Sequence, residues 1–154
     1  MSLAKETPYF ASPTDYEDDF HAWAFEQAEL LRLKRFGELD LANLVEEVES
    51  MGREQRNALR SSYRVLIAHL LKWQFQPSRR SRSWQLTILR ERGNILDREQ
   101  DNPSLKAHAE AIADEAYRTA RREAAIETSL PPETFPLGCP YSLDELRDQD
   151  FLPT

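Results

Sequence analysis

Four things are scarce in this chain, and each scarcity excludes something. There is one cysteine in 154 residues, Cys139, so no intrachain disulfide can form and the composition suits a reducing, cytoplasmic compartment. There are four glycines, Gly37, Gly52, Gly93 and Gly138, which fits long helices joined by few turns. Long apolar runs are missing. The most apolar stretch, around Val65–Leu71, is interrupted by His69 and falls far short of the roughly 20 residues that a membrane-spanning helix needs. Positive charge is also short, at 20 Lys and Arg against 27 Asp and Glu for a net charge of −7. That balance disfavours whole-chain binding to nucleic acid or to an anionic membrane. The opening MSLAKETPYF lacks the apolar centre of a secretory signal. No P-loop, G-x-G-x-x-G or G-x-S-x-G string occurs, so nucleotide-dependent and serine-hydrolase chemistry have no local support.

What is present is helical patterning. Hydrophobic residues make up 40% and charged residues 31% of the chain, a globular composition with a heavily charged surface. Residues 1–13 read as an irregular lead-in containing two prolines. A capping box at Thr14 and Glu17 predicts a first helix, with a stripe of Tyr16, Phe20, Trp23, Ala24, Gln27, Leu30 and Leu31 and a stop at Gly37. Asp40 predicts the cap of a second helix whose Leu41, Leu44, Val45, Val48 and Met51 share one face. Gly52 is expected to kink or interrupt it. The pattern then resumes through Leu59, Tyr63, Leu66, Ile67, Leu70 and Trp73, and its breadth places residues 58–73 at the centre of the core.

Pro77 closes that stretch and a basic connection, QPSRRSRS, follows over 76–83. A third helix is expected from about Trp84 to Gln100, with Trp84, Ile88, Leu89, Ile95 and Leu96 inward. Asn102 and Pro103 predict the start of a fourth, with an alanine-rich seam through Ala109, Ala113, Ala116, Ala120 and Ala124. Beyond Leu130, proline-rich PPETFPLGCPY cannot continue a helix, and Ser142 with Glu145 opens a short terminal one. The expected fold is all-α: an antiparallel bundle of about four helices over a single domain, 14–154, with a proline-rich C-terminal wrap.

The segments YEDDFHAWAFEQAELLR (16–32), LDLANLVEEVESMG (39–52), HLLKWQFQP (69–77), SRSWQLTI (81–88), NPSL (102–105) and TFPLGCPYSLDELRDQDFLP (134–153) together resemble the bacterial family called domain of unknown function 29. The resemblance runs from about residue 15 to the end. It implies an all-helical bacterial protein of a family without an established activity, and no catalytic residue is carried over from it.

Three groups of residues invite a functional reading. Glu46 and Glu49 of the acidic helix, with His69, could serve as general base or metal ligands. Against this, no Glu-x-x-His pair occurs, Asp18 before His21 being the nearest echo, and a solvated acidic face with a hydrogen-bonded core histidine explains the same residues. Lys72, Trp73, Arg79, Arg80, Arg82 and Trp84 interleave cations with aromatics, as an anion or single-strand grip would. Internal pairing accounts for them equally, because residues 15–49 carry eleven Asp or Glu against three Lys or Arg. Cys139 has no CxxC or CxxH partner, so a zinc site is unsupported. The expectation is therefore a non-enzymatic interaction or regulatory domain with no cofactor. Its partner is another protein or a second copy of the same chain, rather than nucleic acid or a membrane. An enzyme or metal protein built on His69, and a phosphate-binding 79–84 connection, are the alternatives.

Overall fold

A computed structural model describes residues 7–154, so the first part of the expected lead-in, 1–6, lies outside the described residues. The described residues contain six α-helices and no strand: α1 (Phe20–Arg32), α2 (Leu41–Phe75), α3 (Arg82–Asp101), α4 (Pro103–Ala107), α5 (Ala109–Thr128) and α6 (Leu143–Arg147). The expected all-α class holds, and four of the six helices are long. The chain divides into two compact units, Met1–Gly52 and Arg53–Thr154, with α2 contributing to both.

In the first unit, α1 starts later than the Thr14–Glu17 pattern predicts. Asp15 diverts that pattern by accepting the Glu17 N–H at 2.8 Å in a local turn, and Thr14 bonds instead to the Glu26 carboxylate through its N–H and its hydroxyl. Asp19 becomes the N-cap and accepts the Ala22 N–H. Nor is Gly37 the stop. Lys34 takes the left-handed conformation (φ 58°) after the last turn. Its N–H reaches the Leu31 carbonyl and that of Arg35 the Leu30 carbonyl, a Schellman closure normally given to glycine. The described lead-in is held by Tyr9 N–H to Glu38 and by the Arg35 guanidinium to the Thr7 carbonyl.

Gln27 breaks the apolar stripe of α1 for a reason. It is buried, and its amide oxygen accepts the Asp40 N–H at 2.8 Å. Asp40 caps α2 as predicted: its carboxylate accepts from the Asn43 backbone and side chain and from the Trp23 indole at 3.0 Å. Gly52 does not interrupt the helix, since α2 is continuous for 35 residues. A helix capped well and packed tightly over 58–73 absorbs one glycine at about 1 kcal/mol.

The second unit is built on α2 from residue 53 onward, α3 and α5, in an up-down-up bundle. Lys72 lies against Trp84, and Tyr63 bonds Glu99, so α2 and α3 run antiparallel. Arg56 pairs with Glu115, Arg64 with Glu123 and Lys72 with Glu127, so α2 and α5 run parallel. Residues 58–73 are the centre, as predicted: Leu59, Tyr63, Leu66, Ile67, Leu70 and Leu71 are all fully buried. At about 2 kcal/mol per buried large side chain, this one stretch is the largest single-segment contribution to the unit's hydrophobic term. The alanine seam of α5 is buried as expected, from Ala109 through Ala124.

The predicted fourth helix breaks at His108 into α4 and α5. Asn102 is the N-cap residue of α4, its carbonyl accepting the Leu105 and Lys106 N–H groups, while its side chain turns back and donates to the Arg98 carbonyl, closing α3. α3 begins at Arg82, two residues early, on a Ser81 cap. The C-terminal wrap packs on this unit through buried Phe135, Tyr141 and Leu146, and the Ser142–Glu145 capping box forms.

Two outcomes follow. With open space around a Cβ at Gly52, Gly52→Ala should stabilise the chain by about 1 kcal/mol in urea unfolding. The hydrogen bond from the Asn43 side chain, opposed by partial burial and aided by the Trp23 indole, holds the Asp40 carboxyl below its ordinary value of 3.8. A depressed acid stabilises above that value and stops doing so as pH falls through the folded one. The wild type should therefore exceed Asp40→Ala by about 1 kcal/mol at pH 7, and the gap should close in acid. An unchanged gap at the acid end of the titration would contradict this.

Candidate protein-interaction surface

The rotation of α3 about its own axis decides what this protein presents. Leu89 and Leu96, expected inward, are 55% and 50% exposed, and Leu86 is exposed with them. The inward positions are Ile88, Arg92, Ile95 and Glu99. Two charged residues occupy them because each finds partners there. Arg92 is buried and donates from Nε to the Leu146 carbonyl at 3.0 Å and from Nη2 to the Glu145 carbonyl at 3.1 Å. It thereby closes the end of α6, a helix terminus that favours a cation. Glu99 is 4% exposed and receives the Tyr63 hydroxyl at 3.0 Å and the Arg147 guanidinium at 3.1 and 2.6 Å. Burial and the adjacent Glu99 charge push the Tyr63 hydroxyl well above its ordinary range, so it donates and stays neutral. Beside this network lies a cleft of about 310 Å³, lined in part by Leu96, Pro103 and Lys106.

The consequence is an exposed apolar seam along a flank of α3, turned away from the buried stripe. Leu86, Leu89, Gly93 and Leu96 are spaced three, four and three residues apart, the spacing of a coiled-coil face. A seam of the same spacing lies on the first-unit portion of α2: Leu41, Leu44, Val48 and Met51. That face was read as one apolar stripe from sequence, and the structure leaves Leu41, Val45, Val48 and Met51 exposed at 55–61%.

The charged setting of the two seams differs. Residues 7–52 carry eleven Asp or Glu against three Lys or Arg, a net of −8, while residues 53–154 carry fifteen against sixteen. Within the first unit Glu47 accepts the Tyr16 hydroxyl, and that bond, with burial and the same charge, pushes Tyr16 up to about 12.

The residues singled out from sequence fall into separate places. Glu46 and Glu49 lie on the first-unit portion of α2 and His69 on its second-unit portion. The His69 ring is half-buried, and its Nδ1 donates to the Val65 carbonyl at 2.8 Å. Burial lowers its pKa and so favours the neutral ring. Among the described residues no group of three or more His, Cys, Asp or Glu could hold a metal ion. Lys72 is buried, paired with Glu127 at 2.7 Å and set 5.0 Å from the Trp84 ring centroid. Arg80 lies over Trp73 and donates to its carbonyl. Arg79 and Arg82 are exposed at the N-terminal approach to the α3 seam, without an ion-pair partner among the described residues. Where the cations of 72–92 are ion-paired, the partners lie inside the second unit, on α5 for Lys72 and on α3 for Arg90. Cys139 is partly buried, burial raises its pKa, and its thiol faces the Tyr141 carbonyl. That is the setting of an inert, packed thiol.

A helical fold whose chemistry-bearing side chains are mostly engaged with one another, and whose apolar seams are exposed, defines an all-helical domain. The family model described as domain of unknown function DUF29 matches residues 16–152. The chain belongs to that family, as its sequence strings indicated. No curated protein and no solved structure matches it. No helix among the described residues is long and apolar enough to cross a membrane.

Arg147→Ala strands the Glu99 carboxylate in a buried site, and a broken buried pair costs about 3 kcal/mol or more. Urea unfolding should show that loss, and Glu99→Leu combined with Arg147→Met should restore most of it. A single-variant loss below about 1 kcal/mol would mean the pair is solvated.

Proposed function

We propose that this chain is a non-enzymatic protein-interaction domain, and that the seam of Leu41, Leu44, Val48 and Met51 on α2 receives a basic amphipathic helix. The observation that carries the reading is an exposed coiled-coil face inside a unit of net charge −8. An apolar stripe buries its surface against another apolar stripe, and an acidic surround selects cationic flanks on the partner. Exposed apolar surface of this continuity is the ordinary mark of a contact site. A cytoplasmic, bacterial setting belongs to the same proposal, supported by the lone cysteine and the family likeness.

This reading is preferred to chemistry centred on His69, because that ring already serves the α2 backbone as a hydrogen-bond donor. It is preferred to a nucleic-acid grip at 79–84, because Lys72, Trp84, Arg80 and Trp73 satisfy one another or near neighbours.

Fluorescence anisotropy with a labelled helical peptide, leucine at its seam positions and lysine on its flanks, tests the proposal. The peptide should bind, bind more weakly as salt is raised, and lose at least tenfold in affinity to Val48→Glu. A glutamate-flanked version should not bind. Equal affinity for wild type and Val48→Glu would refute the assignment of the site.

A further inference from the structure

Resting on that reading, we infer that the basic amphipathic helix is α3 of a second copy of this chain. The four seam positions of α3, Leu86, Leu89, Gly93 and Leu96, repeat the spacing of Leu41, Leu44, Val48 and Met51, so the two faces are equal in length and in register. Both are open: Leu41, Val48, Met51, Leu86, Leu89 and Leu96 are each at least half exposed. They are complementary in bulk, because Gly93 has open space above it at the position corresponding to β-branched Val48. A glycine in a seam lets a facing helix approach closely.

They are also complementary in charge. The α2 seam sits in the unit of net charge −8, whereas the α3 seam is approached at its N-terminal end by exposed Arg79 and Arg82 and flanked by Arg90, whose pairing with Glu91 is loose at 3.5 Å, against the exposed acid Asp97 at its C-terminal end. Pairing two α2 seams would bring two strongly acidic surfaces together, and pairing two α3 seams would bring arginine against arginine. The α2 seam of one copy on the α3 seam of another avoids both. Like-charge exclusion of this kind sets partner choice in helical pairings. The contact is head-to-tail, the α2 seam of one copy against the α3 seam of another.

Sedimentation velocity on the full chain, with Val48→Glu and Leu89→Glu variants, tests this. Both positions are on the surface, and circular dichroism checks that the variants remain folded. The wild type should self-associate at micromolar concentration, and each variant should dissociate at least tenfold more readily. Mixing the two variants should restore association, because one intact α2 seam and one intact α3 seam remain between them. Copies carrying Val48→Cys mixed with copies carrying Gly93→Cys should give a disulfide-linked pair on oxidation.

A dimer disrupted by Val48→Glu but not by Leu89→Glu means α2 pairs with α2, and overturns the inference. So does a disulfide that closes within one chain of the double cysteine variant, or a wild type that stays monomeric. A monomer that still binds the lysine-flanked peptide at Val48 leaves the interaction reading standing and removes only the second copy as its partner. A monomer that binds no peptide removes both.

Discussion

The buried pair of charges on α3 governs the rest of the second unit. Arg92 and Glu99 stand seven residues apart on one face of the helix, with Ile88 and Ile95 between and before them. Putting them inward costs desolvation that only complete satisfaction offsets. Both are satisfied by parts of the chain remote in sequence: Tyr63 on α2, and Arg147 with the Leu146 and Glu145 carbonyls on α6. The network therefore joins the central helix, α3 and the C-terminal wrap, and it sets how α3 is rotated. Once Arg92 and Glu99 face in, Leu86, Leu89 and Leu96 must face out. The exposed seam is a geometric consequence of the buried polar one.

Charge is distributed between the units with similar economy. The whole acid excess lies before residue 53, and the remaining hundred residues are close to neutral. Within the second unit the cations are used locally: Arg56, Arg64 and Lys72 form a ladder along α5 to Glu115, Glu123 and Glu127. Exposed pairs of this type add little stability individually. Their order along both helices does agree with the parallel direction of α2 and α5, which an alanine seam of small, similar side chains specifies only weakly. The first unit instead uses its carboxylates as hydrogen-bond acceptors: Asp40 for the Trp23 indole, Glu26 for Thr14, Glu47 for Tyr16 and Glu38 for the lead-in. Its net charge of −8 sets the sign of the field that an approaching surface meets.

The helices themselves were legible in the chain because periodicity and caps report them directly. Asp40, Ser142 with Glu145, and the apolar breadth of 58–73 each point to what the structure contains. The errors share one cause. Thr14–Glu17 and Gly37 are good local signals overruled by a neighbour with a better bond to offer, respectively Asp15 and Glu26, and the Lys34 turn. The face of α3 was misread for a related reason. Its leucines and its Arg92–Glu99 positions both repeat at helical spacing, so periodicity alone cannot say which is buried. The rule that leucine goes in decides wrongly here, since the deciding partners, Tyr63 and Arg147, are 36 and 48 residues away. Two interleaved stripes on one helix, one apolar and one charged, were the signal available.

A seam left open by such a rotation is a hazard unless its partners are restricted. Coiled-coil faces of ten or eleven residues pair readily with any similar face, including their own copies in open-ended chains. Here the restriction comes from the field around each seam rather than from the seam residues, which are interchangeable in kind. An acidic surround around Val48 and arginines around Leu89 make like-with-like contact repulsive and unlike contact attractive, and the repulsive half of that arrangement is what confers selectivity. Selectivity of this origin weakens with salt as surface charge is screened, while the apolar contact does not. High ionic strength should thus loosen the choice of partner before it loosens association itself. The same seams would then admit α2–α2 and α3–α3 contacts that the charges exclude at low salt.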